Sequence, residues 1–429
     1  MSETSVLYNK MSNRKELRLN NIIIYLFCIF ALTPFLYRNA SRYIMVAILG
    51  LTLLSQLRIV LLNKRYPYIR KTIFCIYLWL GYQFFLRIIG YSTSAIGNYM
   101  TSLFFYCTII QMFYIMIYYD DKQKRHLGIF IIIVLLVNTI DNLRLGSIFP
   151  NCNSYMYRSW GSQYLQMNVG GTEFDAAIMF LCGCLLISML WYRKRIKRAS
   201  RIAILAALAV MIVYLFWMSG RATSIIVLIT MVGFALFLGK KKVLIPLVIV
   251  AIICILLSDA DLLLLINNSR ITERLADLSG FLHGEEINTD GSLFRRVNSM
   301  RSSVSTFFAS PLNVLFGIGN HDTGIGHHSE IIDTLPKYGI IGFISLCIIF
   351  FRVCRVICSF NKENKKLSLL GFAFFIVYSF FNISIDPMIG IVVFMLVPNI
   401  GSVFKTENQV RNKTMTQRNY VATTNQNTT

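Results

Sequence analysis

Acidic residues are scarce in this sequence. Asp and Glu number 20 in 429 residues, against 42 Lys and Arg, and all charged types together make up only 14%. So little charge cannot solvate the surface of one or two soluble domains, and 55% of the residues are hydrophobic, gathered in long uninterrupted runs. The pairing excludes an ordinary soluble protein and reads as integral membrane. Histidine is also sparse, with five in all. His321, Asp322, His327 and His328 come nearest to a metal cluster, but their spacing matches no standard zinc pattern, so no metal is expected. Of the ten cysteines only Cys152 falls in an outward loop, which excludes a disulfide framework. No repeat of fixed period and no inverted pair of Gly/Pro-broken spans, of the kind that marks a secondary transporter, is present.

What is present is a series of apolar runs: Asn21–Tyr37, Tyr43–Leu62, Thr72–Gly90, Ile96–Tyr118, Leu127–Ile140, Glu173–Tyr192, Ile202–Ser219, Thr223–Gly239, Val243–Ser258, Ile340–Phe351, Leu367–Ile385 and Met388–Phe404. A helix needs about 20 residues to cross the hydrocarbon core, so the expected fold is an all-α polytopic membrane protein with about 12 transmembrane helices. The fifth and tenth runs are short and need flanking residues to complete the crossing. Four segments follow: residues 1–258 with spans one to nine, a large partly helical outer loop at 259–338, spans ten to twelve at 339–404, and a polar tail at 405–429 expected to be disordered.

Charge sets the expected orientation. With the N-terminus inside, the inner connections hold about 29 of the 42 cations, so positive-inside asymmetry accounts for the formal charge of +22 without nucleic acid. Both termini are then cytoplasmic. Lys10, Arg14, Lys15 and Arg18 precede the first run and no small-residue cleavage site follows it, which reads as a retained span.

Two outer loops are long. Residues Asn142–Thr172 carry Arg144, Tyr155, Tyr157, Arg158, Trp160 and Tyr164, a mix that suits either sugar stacking or an interfacial aromatic belt. The second holds four of the histidines, among them His283, and the arginines Arg295, Arg296 and Arg301. Within it, Phe294, Val297, Met300, Val304 and Phe307 recur at helical intervals, predicting an amphipathic helix that ends at Ser310-Pro311. Leu315-Phe316-Gly317-Ile318-Gly319-Asn320 reads as a Gly-bearing turn whose N–H groups could approach a ligand. His328 then opens a short helix, broken near Pro336, that leads into Gly339-Ile340-Ile341-Gly342.

Arg296, Pro311-Leu312, Phe316-Gly317-Ile318-Gly319, His328-Ser329 and Gly339-Ile340-Ile341-Gly342, in this order, resemble the signature of the bacterial O-antigen polymerase and O-antigen ligase superfamily. Ser219-Gly220-Arg221 at the end of the seventh run resembles that family's boundary arginine. Met300 and Ser329 depart from it, standing where an aromatic and Asn are common. The resemblance implies a GT-C-like glycosyltransferase performing inverting, metal-independent transfer at the outer leaflet of the bacterial inner membrane, without a cofactor. The donor would be an undecaprenyl-pyrophosphate-linked glycan. The acceptor would be a second such unit in a polymerase, or the lipid A core in a ligase, and a chain-length regulator is an expected partner. Independently of the family, Arg suits a diphosphate leaving group and His suits a general base near neutral pH. The expected roles are base for His328 and pyrophosphate binding for Arg221 and Arg296, with Arg295 in reserve. A lipid-linked oligosaccharide flippase is the competing class, but it would line its lumen with intramembrane charge, which is sparse here. The outer-edge acids Asp141, Glu173, Asp175 and Asp386 could line the acceptor site or orient His328.

Overall fold

The computed structural model describes residues 19–39, 42–52, 66–88, 96–148, 167–192, 196, 198–215, 227–233, 292–318, 329–360 and 364–404, and these residues contain helices and no strand. The helices are α1 (Leu19–Leu32), α2 (Pro34–Asn39), α3 (Arg42–Thr52), α4 (Pro67–Ile88), α5 (Ile96–Tyr118), α6 (Asp121–Ile148), α7 (Thr172–Trp191), α8 (Arg198–Val213), α9 (227–233), α10 (Ser292–Phe308), α11 (Pro311–Phe316), α12 (Glu330–Phe360), α13 (Lys365–Phe381) and a final run α14 (Pro387–Val403). Tyr99–Tyr118, Asp121–Ser147, Thr172–Trp191 and Glu330–Ser359 are long and apolar enough to cross a membrane, and Leu19–Leu32 and Pro387–Val403 are shorter apolar helices. The chain is an all-α protein with the helices of a membrane-embedded one. The expected spans at Thr223–Gly239 and Val243–Ser258 lie largely outside the described residues, as do the second half of Tyr43–Leu62 and the whole tail.

Several boundaries differ from the sequence reading, each for a local reason. The first run breaks at Thr33 because Pro34 cannot donate to a continuing ladder. The short fifth run becomes the longer α6, which starts at Asp121. Asp120 Oδ1 accepts from Gln123 N at 2.7 Å and Gln123 Oε1 accepts from Asp120 N at 3.0 Å, a reciprocal cap that recruits polar residues into the helix. The tenth run extends through Arg352 and Arg355 to Phe360. In α14, Ile391–Leu396 form a π-helical stretch.

Contacts at the helix ends show an alternating bundle. At one end, Tyr192 Oη donates to Asn364 Oδ1 (2.8 Å), Asn364 Nδ2 donates to Pro398 O, and Ser402 Oγ donates to Asp121 Oδ1. At the other, Glu330 N donates to Asn382 O, Tyr37 Oη to Thr101 Oγ1, and Tyr214 Oη to Asp175 Oδ1 at 2.6 Å. We call these the Asn364 end and the Glu330 end. Helix α7 is central and mostly buried, whereas α6 and α12 leave more of their apolar length exposed. Between them Phe105, Phe350, Phe372, Phe375 and Phe394 interlock as ring pairs from α5, α12, α13 and α14. Lipid is as apolar as these side chains, so close packing and buried hydrogen bonds decide how the helices associate.

One such set of bonds closes the Glu330 end. Asn168 Oδ1 accepts from Phe35 N (3.0 Å), and its Nδ2 donates to Asn138 Oδ1 (2.7 Å) and Asp141 Oδ2 (3.1 Å). Asn142 Nδ2 donates to Asn168 O, and Gly170 N donates to Asn142 Oδ1 at 2.6 Å. The amides thereby pin the α1–α2 break, the end of α6 and the start of α7 together. Replacing Asn168 by Ala strands several part-buried partners and is expected to cost about 2 kcal/mol. Arg144→Ala removes an exposed pair with Asp141 (3.1 Å) and should cost under about 0.5 kcal/mol. Thermal unfolding of the two variants in detergent tests the contrast, and equal Tm losses would refute it.

Candidate functional site

The two glycine motifs of the sequence meet in space. Gly317 (φ 75°) and Gly339 (φ 64°) are the positive-φ glycines among the described residues. A Cβ on Gly317 would strike the Lys337–Tyr338 peptide, and one on Gly339 would strike the Leu315–Phe316 peptide. The chain therefore crosses itself backbone to backbone, at a point where only glycine fits on either side. Ile318 N donates to Pro336 O (2.7 Å), and Gly317 N to Asn313 O (2.8 Å). From α4, Tyr82 Oη donates to Phe316 O (3.2 Å) and Tyr338 O (3.1 Å). One turn along, Gly342 lies beneath the Trp79 ring, which meets Tyr338 edge-on at 5.1 Å.

Two expectations change here. The amides of Gly317 and Ile318 are taken up by the fold itself, so this part of the turn is a joint and presents no N–H pair to a ligand. The break in α12 falls at Gly339, where the helical dihedrals are lost, and Pro336 stays inside the preceding helical segment, its carbonyl accepting from Ile318.

Upstream of the crossing, α12 begins at Glu330 with Ser329 as its cap. Ser329 Oγ accepts from Ile332 N (3.1 Å), while Asp333 Oδ2 accepts from Ser329 N (3.0 Å). The other oxygen, Asp333 Oδ1, accepts from Ser303 Oγ on α10 at 2.8 Å. Ser303 and Asp333 are both buried. One carboxylate thus locks the arginine-bearing helix to the start of α12, next to His328 in sequence. The sequence reading missed Ser303, Asp333, Trp79 and Tyr82. Asp333 left a faint local signal four residues after a Ser cap, but Tyr82 left none because its partners are more than 200 residues away.

The amphipathic face of α10 also shifts. Ser303 and Phe307 are buried, whereas Val304 and Phe308 are exposed. At 3.6 residues per turn, Arg296 has the register of Ser303 to within about 20°, so it lies on the strip of α10 that packs on α12. Arg295 lies off that strip. Arg301 lies on the opposite side of the helix and is exposed. The backbone of α10 is described from Ser292 and its side chains from Asn298. His328, Arg221, His283, His321 and His327 lie outside the described residues. Among the described residues, no group of three or more His, Cys, Asp or Glu could hold a metal.

Further carboxylates at this end accept from backbone amides. Glu330 Oε2 accepts from the Ser384 and Ile385 amides at 3.4 Å each. Asp386 caps α14, its Oδ1 accepting from Met388 N at 2.8 Å. Burial, with the Glu173 carboxylate nearby, holds Asp386 well above the ordinary carboxylate range. Asp141 belongs to the amide network and Asp175 bonds Tyr214, so those two serve the scaffold.

A raised carboxyl pKa means that the folded chain binds the proton more tightly than the unfolded one, so stability falls as pH rises from about 4 through the folded pKa. Asp386→Asn keeps the cap and removes the proton. Between pH 5 and pH 8 the wild-type Tm should fall more than that of Asp386→Asn, and parallel curves would refute the assignment. At the crossing, Gly339→Ala should cost several kcal/mol, as both φ and backbone contact forbid a side chain (about 1–3 kcal/mol from strain alone). Gly342→Ala meets the Tyr338 and Trp79 side chains and should be milder, which thermal melts will show. No protein-family model matches this chain, and no curated protein matches it, so the chemistry of the site rests on its own residues.

Proposed function

We propose that this chain is a polymerase that joins undecaprenyl-pyrophosphate-linked oligosaccharide repeat units into O-antigen or capsular polysaccharide. In this reading it has twelve spans, both termini in the cytoplasm, and the Glu330 end at the outer leaflet of the bacterial inner membrane. One observation carries the proposal: motif pieces far apart in sequence converge on one assembly. The strip of α10 that bears Arg296, the Phe316-Gly317 turn, Ser329 and Gly339 are tied together by Asp333, the glycine crossing and Tyr82.

The reaction asks three things of the protein. His328 takes the proton of the acceptor hydroxyl, whose oxygen attacks the anomeric carbon of the donor. The bond from that carbon to the pyrophosphate oxygen breaks with inversion, and undecaprenyl pyrophosphate leaves with the electron pair. Arg221 and Arg296 hold the negative charge that builds on the leaving group, a task for preorganised guanidinium forks, and Arg295 stands in reserve. No step calls for a metal ion or redox cofactor. Asp333 ties α10 to the start of α12, the helix that follows His328 in sequence, and a fixed frame of this kind favours a positioned reaction.

Purified protein in nanodiscs, supplied with lipid-linked repeat units, tests the roles. His328→Ala should lower turnover by roughly 10²–10⁴-fold, and Arg296→Ala should fall well below Arg296→Lys, which should itself fall below wild type. Arg301→Ala should match wild type. Polymer formation by His328→Ala at the wild-type rate would end the base assignment, and transfer to lipid A core without polymerisation would make the protein a ligase.

A further inference from the structure

Helices α10 and α11 have one face occupied and one edge bare. The occupied face is Ser303 and Phe307, packed toward α12. The bare edge is apolar: Val304 is 46% exposed, Phe308 70%, Leu312 63%, Leu315 45% and Phe316 40%. In an aqueous loop, such a contiguous strip would be a hydrophobic patch facing water.

Its depth can be read from two neighbouring helices. Along α12, the rise from Gly339 to Arg355 is about 24 Å at 1.5 Å per residue. That is shorter than the hydrocarbon core of about 30 Å. Arg352, Arg355, Lys365 and Lys366 mark the polar boundary at the Asn364 end. The Gly317–Gly339 crossing therefore sits no higher than the opposite edge of the hydrocarbon. On α4, Tyr82 bonds Phe316 O, yet the helix continues to Ile88, about 9 Å farther along. Phe85 and Ile88 on that last stretch are 56% and 67% exposed. Exposed apolar surface on α4 thus extends beyond the level at which α11 is bonded.

Continuity is the third observation. Leu315 and Phe316 touch Gly339 through the backbone, and the next residues of α12, Ile340 and Ile341, are themselves exposed on the spanning helix. The bare edge of α11 is an extension of that lipid-facing surface. Arg301, exposed and about 20° from Phe308 in helical register, supplies a cation flanking the apolar edge, the arrangement of helices that lie in the headgroup region.

We propose that α10 and α11 form a hairpin lying in the membrane interface, its edge from Val304 to Phe316 buried among phospholipid acyl chains. The occupant is the bilayer itself. The hairpin belongs to the membrane domain although its residues fall in the long loop between spans. This inference rests on the membrane placement of the helices and not on glycosyl transfer, and its test reads depth and not activity.

The full chain is reconstituted in phospholipid nanodiscs with p-acetylphenylalanine at position 308 or 312, each coupled to a hydroxylamine nitroxide so that the native cysteines are untouched. Positions 305 and 351 serve as the polar and mid-membrane references. Power saturation should give an oxygen-to-nickel-chelate collision ratio at 308 and 312 several-fold above that at 305 and approaching that at 351. Collision dominated by the nickel chelate would place the edge in water and overturn the proposal. Protection from both reagents would also overturn it, because a second copy or another part of this chain would then cover the edge. Both positions are exposed; Phe308 meets the Phe307 ring edge-on, so position 312 gives a second, independent reading of the depth.

Discussion

Two peptide units in van der Waals contact, with no side chain between them, set the geometry on which the Glu330 end depends. At the Gly317–Gly339 crossing the distance between backbones is fixed by atoms that cannot rotate away, so the joint has far less play than side chains packed in a core. Everything attached to either strand inherits that rigidity. Helix α11 is held on α12, and α4 is held on both through a single tyrosine hydroxyl shared by two carbonyls. The Trp79 ring over Gly342 continues the seam one turn deeper. Breaking α12 at Gly339 lets the short segment from Glu330 to Tyr338 take a direction independent of the long span that follows.

In the proposed reaction that short segment closely follows the histidine assigned as base. Its first turn is tied to α10 by Asp333, whose two oxygens serve two different elements. A carboxylate buried by this much would be costly in isolation, but here it accepts a hydroxyl and an amide, and those bonds offset the desolvation. The same logic governs the neighbouring acids: Glu330 spans the Ser384 and Ile385 amides, and Asp386 caps α14. Acids at this end are thus mostly structural joints. In the proposed reaction, the scaffold's task is to hold one helix bearing arginine against the stem of one histidine.

Much of this was legible in the sequence, and the illegible part has a common cause. Apolar runs marked most of the described helices, and one proline marked an end correctly. Ser310-Pro311 ends α10 as expected, with Ser310 Oγ accepting from Asn313 N. Leu127–Ile140 looked too short because hydropathy stops at the first polar residue, whereas a helix stops where its hydrogen bonds are capped, here at Asp120. The α10 face differs from the apolar stripe because the bond from Ser303 to Asp333 turns Ser303 inward and leaves Val304 outside. The glycines of both motifs stand out in the sequence, but a sequence marks the need for a missing side chain without saying what fills its place. Tyr82 and Asn168 were invisible for the same reason: their partners are far away along the chain.

The bonds that close this end of the bundle are made chiefly by asparagine amides. Asn138, Asn142 and Asn168 carry no charge in any aqueous medium, and their partners are for the most part backbone groups or one another. Dissolved ions cannot screen such contacts, and protons cannot cancel them. Apart from the bond to Asp141, the clamp is therefore indifferent to the composition of the fluid it faces, whereas the acidic joints at the same end are not. Two tasks are separated in this way, with neutral amides fixing most of the frame and ionisable joints answering the medium.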